Sequence, residues 1–255
     1  NPKDTSKYPQ RSRNPDLAAA RAFAKILGLS PSAVARGTAP PSAAGEATTG
    51  AGPAASDGPT EVRPGMELGR VQSPPLIRLV EFMLQDSDNV VAEALARQVA
   101  LANDRPASFA GAAEAVDEVL VELGLAESES SLSDGSGLSR SNRLTPSLLT
   151  DLLVLAASDQ RPELAGLFGG LPVAGWSGTL GDRYGSSGRA AAGAGVVRAK
   201  TGTLTGVHAL AGLVTTADGR LLAFAVLTDA ATGGPASSQP ALDRIAAALS
   251  SCGCR

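Results

Sequence analysis

The chain has 255 residues, of which 43% are hydrophobic, and its formal net charge at pH 7 is −3. This length and composition suit one large or two small globular domains, and they leave no basic surplus to neutralise phosphates, which argues against nucleic-acid binding. No apolar run reaches the roughly 18 uncharged residues that a membrane-spanning helix needs. Small molecules or peptides are therefore the expected ligands.

The first part of the chain predicts one helix followed by a flexible segment. Asn14-Pro15-Asp16 supplies an N-cap and a proline at the first helical position, and Gly28 supplies a stop after about three turns. Residues 37–60 consist mainly of Gly, Ala, Pro, Ser and Thr, which predicts a flexible loop. The alternating character of Glu61 to Val71 predicts a strand that returns from this loop.

The middle of the chain predicts four helices separated by polar and glycine-rich loops. Apolar residues at helical spacing predict helices over Leu76 to Leu84, through Val91 to Leu101, over Phe109 to Leu123, and from a Thr145-Pro146 cap to Leu155. The loops include Gln85 to Asn89, Asp134 to Arg140 and Pro172 to Leu180.

The last quarter predicts an antiparallel sheet covered by a helix. The strand candidates are Val196 to Lys200, Val207 to Thr216 and Leu221 to Thr228, and Ala217-Asp218-Gly219 is a hairpin signal between the last two. Pro240 to Leu249 predicts the closing helix. Helices in the middle and an antiparallel sheet at the end indicate an α+β fold, with the sheet flanked by helices.

One short segment combines side chains that suit carboxylate binding. Lys200-Thr201-Gly202-Thr203 places an ammonium group, two hydroxyls and a glycine along one predicted strand. Because side chains alternate along a strand, Lys200 and Gly202 share one face, and Thr201 and Thr203 share the other. Glycine inside a strand indicates a close approach by another backbone or by a ligand.

Taken alone, each motif has an ordinary structural explanation. Ser87-Asp88-Asn89 is typical of a helix N-cap, and Lys200-Thr201-Gly202 of a strand end or turn. In this chain they occur in order, together with Ser73-Pro74-Pro75-Leu76, Ala92-Glu93, Asp134 to Arg140 and Gly178-Thr179-Leu180. Together these motifs, between residues 73 and 230, resemble the D-alanyl-D-alanine carboxypeptidase/endopeptidase family, the class C low-molecular-mass penicillin-binding proteins (peptidase S13-like).

The resemblance implies a penicillin-binding-protein/β-lactamase-like transpeptidase domain and three catalytic residues. Ser87 would relay a proton to the leaving amine, because a hydroxyl both donates and accepts hydrogen bonds. Asn89 would bind the substrate's peptide, and Lys200 would supply positive charge.

The resemblance also implies a set of substrate-binding residues. The hydroxyls of Thr201 and Thr203 would bind the terminal carboxylate of a D-Ala-D-Ala stem peptide, and the Thr203 N–H would be an oxyanion donor. Gly202 would leave room for the substrate to lie along the strand. Leu138 and Arg140 match pocket positions that receive the side chain before the scissile bond.

The nucleophile of the family is absent from this chain. That family uses a serine three residues before a lysine, which places both on one helix face. The four lysines are Lys3, Lys7, Lys25 and Lys200, and none follows a serine at that spacing. We therefore expect residues 73–255 to be the C-terminal part of the domain, residues 1–72 to be the end of an inserted accessory domain, and a missing N-terminal segment to supply Ser-x-x-Lys.

The resulting prediction is an extracytoplasmic serine D,D-peptidase that acts on peptidoglycan stem peptides through an acyl-enzyme and is a target of β-lactam antibiotics, although this chain alone would be inactive. No cofactor or metal is implied, since Cys252, Cys254 and His208 are too few to form a metal site. The alternative is a non-catalytic fragment or degenerate homologue that binds peptidoglycan peptides. A class A β-lactamase is a weaker match, because the sequence from Asp134 to Arg140 points to the carboxypeptidases.

Overall fold

A computed structural model describes residues 11–37, 71–185 and 187–252, and the chain divides into two compact units, residues 1–72 and 73–255. The first unit contains helix α1 (Pro15–Ile26), which confirms the prediction of a helix after Asn14. The Arg36 guanidinium pairs with the Asp16 carboxylate at 2.6 Å, so the segment after α1 folds back to its first turn. The predicted loop and strand between residues 38 and 70 lie outside the described residues.

The second unit has an α+β architecture, as predicted. Its helices are α2 (Leu76–Asp86), α3 (Asn89–Ala102), α4 (Phe109–Glu122), α5 (Pro146–Ala156), α6 (Leu167–Gly170) and α7 (Pro235–Ser250). Its strands are β1 (Ser130–Ser131), β2 (Arg143–Leu144), β3 (Val197–Leu204), β4 (Val207–Thr215) and β5 (Leu221–Thr228). Within the described ranges, no helix is both long enough and apolar enough to cross a membrane.

Two element boundaries differ from the sequence prediction in ways that have a physical reason. The strand β3 continues four residues beyond Lys200, because β4 pairs with it along its whole length up to the Leu204–Val207 pair. The closing helix α7 begins at Pro235 rather than Pro240. Proline is favoured at the first helical position, and Pro235 occupies it, which leaves Pro240 inside the helix.

The main sheet is antiparallel, in the order β3-β4-β5. The outer edge of β3 is partly covered by residues 172–174, since Val173 forms a bridge with Arg198. In this bridge the Ala174 N–H donates to the Val197 carbonyl (3.0 Å), and the Ala199 N–H donates to the Pro172 carbonyl (2.9 Å). No described strand pairs with the rest of this edge, residues 200–204.

One face of the sheet packs against α7 and forms the largest hydrophobic core of the described residues. Val197 and Ala199 of β3, Leu210 and Val214 of β4, and Phe224 of β5 are buried with Leu242, Ala246 and Ala247 of α7. Helix α5 contacts β4 and β5 but contributes no residue to this cluster, which places it against the opposite face. Lys200 alternates with the core residues of β3 and therefore lies on that opposite face.

A buried ion pair connects the segment after Leu180 to α7. Arg183 donates from Nε to Asp243 Oδ2 (3.0 Å) and from a terminal nitrogen to Oδ1 (2.6 Å). The two side chains are only 14% and 7% exposed. The same guanidinium donates to the Gln239 carbonyl of α7 (3.3 Å), so each charged group has several partners.

We expect Asp243→Ala to lower the free energy of unfolding by about 3–5 kcal/mol, because it leaves the Arg183 guanidinium buried without its counter-charge. The double variant Arg183→Leu/Asp243→Leu should lose less of the free energy of unfolding, since it removes both charges. Urea denaturation of the variants measures this, with Asp151→Ala, on the exposed face of α5, as control. Equal losses in the single and double variants would contradict the prediction.

Candidate active site

The Ser87-Asp88-Asn89 motif forms the sharp turn between α2 and α3. Ser87 ends α2 in the left-handed conformation (φ 55°), which is uncommon for a residue with a side chain. Asp88 caps α3, because its carboxylate accepts hydrogen bonds from the N–H groups of Val90 (2.9 Å) and Val91 (3.1 Å). The capping role therefore belongs to Asp88, and the Ser87 hydroxyl remains available for another partner.

That partner is Lys200, 113 residues further along the chain. Its Nζ donates to Ser87 Oγ at 2.8 Å and to the Thr201 carbonyl at 2.8 Å. Burial lowers the pKa of Lys200 to about 8. No carboxylate of the described residues forms an ion pair with this ammonium group, so burial of the charge is offset by hydrogen bonds but by no counter-charge.

A glycine-rich turn connects the end of α2 to β3. Thr201 Oγ1 donates to Thr179 Oγ1 at 2.8 Å, and Thr179 lies in the 3-10 turn Gly178–Leu180. Gly178 has a φ of 56°, and a Cβ there would lie 2.6 Å from the Gln85 carbonyl oxygen of α2. Only glycine allows this contact. The sequence pattern predicts no role for Thr179, although its Gly-Thr-Leu motif belongs to the resemblance.

The direction of the backbone groups in β3 follows from the bridge to Val173. Ala199 N–H and Val197 C=O point away from β4 toward that bridge. Because backbone groups alternate along a strand, the N–H and C=O groups of Thr201 and Thr203 also point away from β4. Beyond the bridge they face an edge that no described strand occupies, so a peptide could pair with them there.

The loop Asp134 to Arg140 meets the end of β3. The Arg140 guanidinium donates to the Thr205 carbonyl at 2.8 Å, two residues beyond Thr203. Leu138 is 53% exposed at the surface of this loop. The structure thus brings Arg140 to the strand that carries Lys200, Thr201 and Thr203.

Other predicted site residues make fewer contacts. Asn89 is the first residue of α3, and its exposed side chain forms no hydrogen bond within the described part of the chain. At Gly202, a Cβ would lie 3.2 Å from the Ala209 Cβ, so the space around this glycine is limited on one side. Among the described residues, no group of three or more His, Cys, Asp or Glu side chains could hold a metal ion.

We expect the stability of the protein to rise with pH through the alkaline range because of Lys200. Its folded pKa of about 8 lies below the ordinary value of 10.5, so the unfolded state binds more protons between these values and unfolding becomes less favourable as pH rises. Urea midpoints between about pH 7 and about pH 10 should therefore rise more for the wild type than for Lys200→Met. Lys25→Met, on the exposed surface of α1, is the control. A difference in urea midpoint between the wild type and Lys200→Met that stays constant with pH would contradict this prediction.

Comparison with known proteins gives a family match for most of the chain. Residues 57–249 match the model of the D-Ala-D-Ala carboxypeptidase 3 (S13) family. The chain is 42% identical over 245 residues to carboxypeptidase DacB of Mycolicibacterium smegmatis, an alignment that covers 96% of this chain and 48% of that protein. The chain thus spans about half the length of this relative.

Solved structures show the same fold. Penicillin-binding protein 4 (dacB) from Haemophilus influenzae aligns with a TM-score of 0.62 and 33% identity, covering 70% of this chain and 40% of that chain. Its complex with a β-lactam aligns with a TM-score of 0.60 and 34% identity, covering 67% of this chain and 40% of that chain. The chain belongs to the peptidase S13 family of D-Ala-D-Ala carboxypeptidases.

Proposed function

We propose that this chain is part of an extracytoplasmic serine D,D-peptidase that cleaves D-Ala-D-Ala stem peptides of peptidoglycan through an acyl-enzyme. The observation that carries the proposal is the 2.8 Å hydrogen bond between Lys200 Nζ and Ser87 Oγ, formed beside the open edge of β3. It joins the Ser87 hydroxyl, which can transfer a proton, to the Lys200 ammonium group, next to the strand edge with which a peptide can pair. The relatives named as carboxypeptidases support the same reaction.

Substrate binding uses the open edge of β3. The stem peptide pairs with the outward N–H and C=O groups of Thr201 and Thr203, as an added strand. Its terminal carboxylate is attracted by the Lys200 ammonium and accepts hydrogen bonds from the hydroxyls of Thr201 and Thr203. The Thr203 N–H lies on this edge as a donor for the oxyanion that develops when the peptide carbonyl is attacked.

Proton transfer uses Ser87. Its hydroxyl accepts a hydrogen bond from Lys200 and can donate its own proton to the leaving amine, while it receives another from the group that activates the nucleophile. The positive charge of Lys200 stabilises negative charge on Ser87 Oγ during this exchange. Asn89, at the other side of the α2–α3 turn, binds the peptide group of the substrate.

The nucleophile of this reaction comes from a segment outside these 255 residues. We propose that this segment carries Ser-x-x-Lys and packs against α2, with residues 73–255 as the C-terminal part of the peptidase domain and residues 1–72 as the end of an inserted domain. In support, the chain spans 48% of its relative's length, and Leu76 and Phe82 of α2 are 64% and 47% exposed. These two side chains lie on different sides of the helix, and each leaves apolar area exposed that a further element would cover.

A second candidate is a non-catalytic module that binds peptidoglycan peptides. It is favoured by one observation, the absence of a serine three residues before any of the four lysines of the chain. Pairing of a peptide with the edge of β3 requires no nucleophile, so binding without cleavage is consistent with the same geometry.

Labelling with a fluorescent penicillin distinguishes the two functions. We expect no covalent label on this chain alone, and label when it is combined with a segment that carries Ser-x-x-Lys. Ser87→Ala and Lys200→Ala should each reduce the labelling rate by about a hundredfold or more, as expected for groups that act in acid–base and electrostatic catalysis. Lys25→Ala is the matched control.

Label on the isolated chain would mean that another serine is the nucleophile. If neither preparation is labelled but the chain binds a D-Ala-D-Ala peptide, the non-catalytic module is correct.

The labelling rate should also fall as pH rises above about 8, because Lys200 loses its proton and the charge that attracts the substrate carboxylate. Arginine stays protonated up to a pH of about 12, so Lys200→Arg should remove this alkaline decline even if its rate is lower. Acylation rates measured from about pH 6 to about pH 10 test this. An alkaline decline that persists in Lys200→Arg would assign it to another group.

A further inference from the structure

The loop that carries Leu138 and Arg140 is held together by a buried carboxylate. Asp134 is 7% exposed and accepts hydrogen bonds from Gly137 N–H (2.8 Å), Ser139 N–H (2.6 Å) and the Asn142 side-chain amide (2.8 Å). Burial alone would raise the pKa of Asp134, but these hydrogen bonds outweigh it and hold the pKa below the ordinary value. The ionised Asp134 carboxylate therefore stabilises the loop through three hydrogen bonds at neutral pH.

A second carboxylate attaches this loop to α3. Glu93 is 9% exposed, and its Oε1 accepts hydrogen bonds from Gly135 N–H (3.1 Å) and Ser136 N–H (3.0 Å). Its Oε2 is buried without a hydrogen-bond partner in the described part of the chain, and no basic side chain there forms an ion pair with Glu93. A buried carboxylate with no counter-charge costs stability, so the two loop N–H groups are what stabilise it.

The contact between the loop and α3 is too close for any side chain at Gly135. A Cβ on Gly135 would lie 2.3 Å from the Ala96 Cβ and 3.4 Å from the Ala92 carbonyl oxygen. The loop backbone thus rests directly on α3, one turn beyond the residues that begin the helix. Glu93 follows Asn89 by four residues and lies on the same face of α3.

These contacts connect both sides of the candidate site. Glu93 fixes the loop to α3, which begins at Asn89, and Arg140 of the same loop donates to the Thr205 carbonyl just after β3. The loop therefore joins α3, at Glu93 and Ala96, to the residue that follows the strand carrying Thr201 and Thr203.

We propose that Glu93 is a positioning residue that holds this loop against α3 and so fixes Leu138 and Arg140 at the substrate-binding end of β3. The inference rests on the proposed function. Glu93 is buried and does not touch the substrate. Its loss should weaken peptide binding, whereas the proton transfer through Ser87 and Lys200 should continue.

The loop contact is tested first on this chain alone, by hydrogen exchange. Glu93→Ala should speed the exchange of the Gly135 and Ser136 amides by about tenfold or more, because both lose a charged acceptor. Glu93→Gln keeps an oxygen at the accepting position and should retain most of the protection. Gly135→Ala, which pushes the loop off Ala96, should speed the exchange of Ser136 while leaving Glu93 in place.

The role in binding is tested on the chain assembled with a Ser-x-x-Lys segment. Glu93→Ala and Gly135→Ala should raise KM for a D-Ala-D-Ala stem peptide by about tenfold, with kcat and the acylation rate at saturating penicillin within about twofold of wild type. Glu122→Ala, at the exposed end of α4, and Gly185→Ala, where a Cβ meets nothing within 4 Å, are the matched controls.

Unchanged exchange in Glu93→Ala would overturn the proposal, and so would a fall in kcat as large as the rise in KM. Failure of the proposed function would look different. In that case the assembled wild type takes no penicillin label, while the exchange measurement still decides whether Glu93 holds the loop.

Discussion

The candidate site depends on one hydrogen bond between distant parts of the chain, from Lys200 to Ser87. It joins the turn between two helices to a strand, and it fixes an amine with a lowered pKa beside a hydroxyl. Ser87 lies in a left-handed turn at the end of α2, and Lys200 lies on the face of the sheet opposite α7. Asp88 caps α3, so the Ser87 hydroxyl is free to bind Lys200. The residues that alternate with Lys200 pack in the core, so its own side chain is free to bind Ser87.

The geometry of β3 explains how one strand can serve both the core and the substrate of the proposed function. Side chains alternate between the α7 face and the face that meets the α2–α3 turn, while backbone groups alternate between β4 and the outer edge. Thr201 therefore bonds Thr179 with its hydroxyl, while its carbonyl points toward the outer edge and accepts a hydrogen bond from Lys200. The bridge at Arg198 covers the first part of that edge and leaves the residues around Thr203 open.

Much of this arrangement could be predicted from sequence, because the decisive residues lie in short contiguous motifs. The cap at Thr145, the helix after Asn14 and the hairpin near Gly219 depend on local backbone preferences and were placed correctly. The contacts of Thr179 and Glu93 could not be predicted, because each depends on a partner more than twenty residues away and on the close approach of a glycine. The predicted start of α7 was wrong because both Pro235 and Pro240 suit the first helical position, and local sequence does not distinguish between them.

The edge of β3 that no described strand covers also has a consequence for how the protein behaves in concentrated solution. Unpaired backbone groups on an edge strand accept any extended chain, including the same edge of a second copy. A ligand that occupies the edge therefore competes with self-association, and a bound stem peptide would keep the protein dispersed. In the proposed function, solubility and substrate occupancy are therefore linked through the same row of N–H and C=O groups.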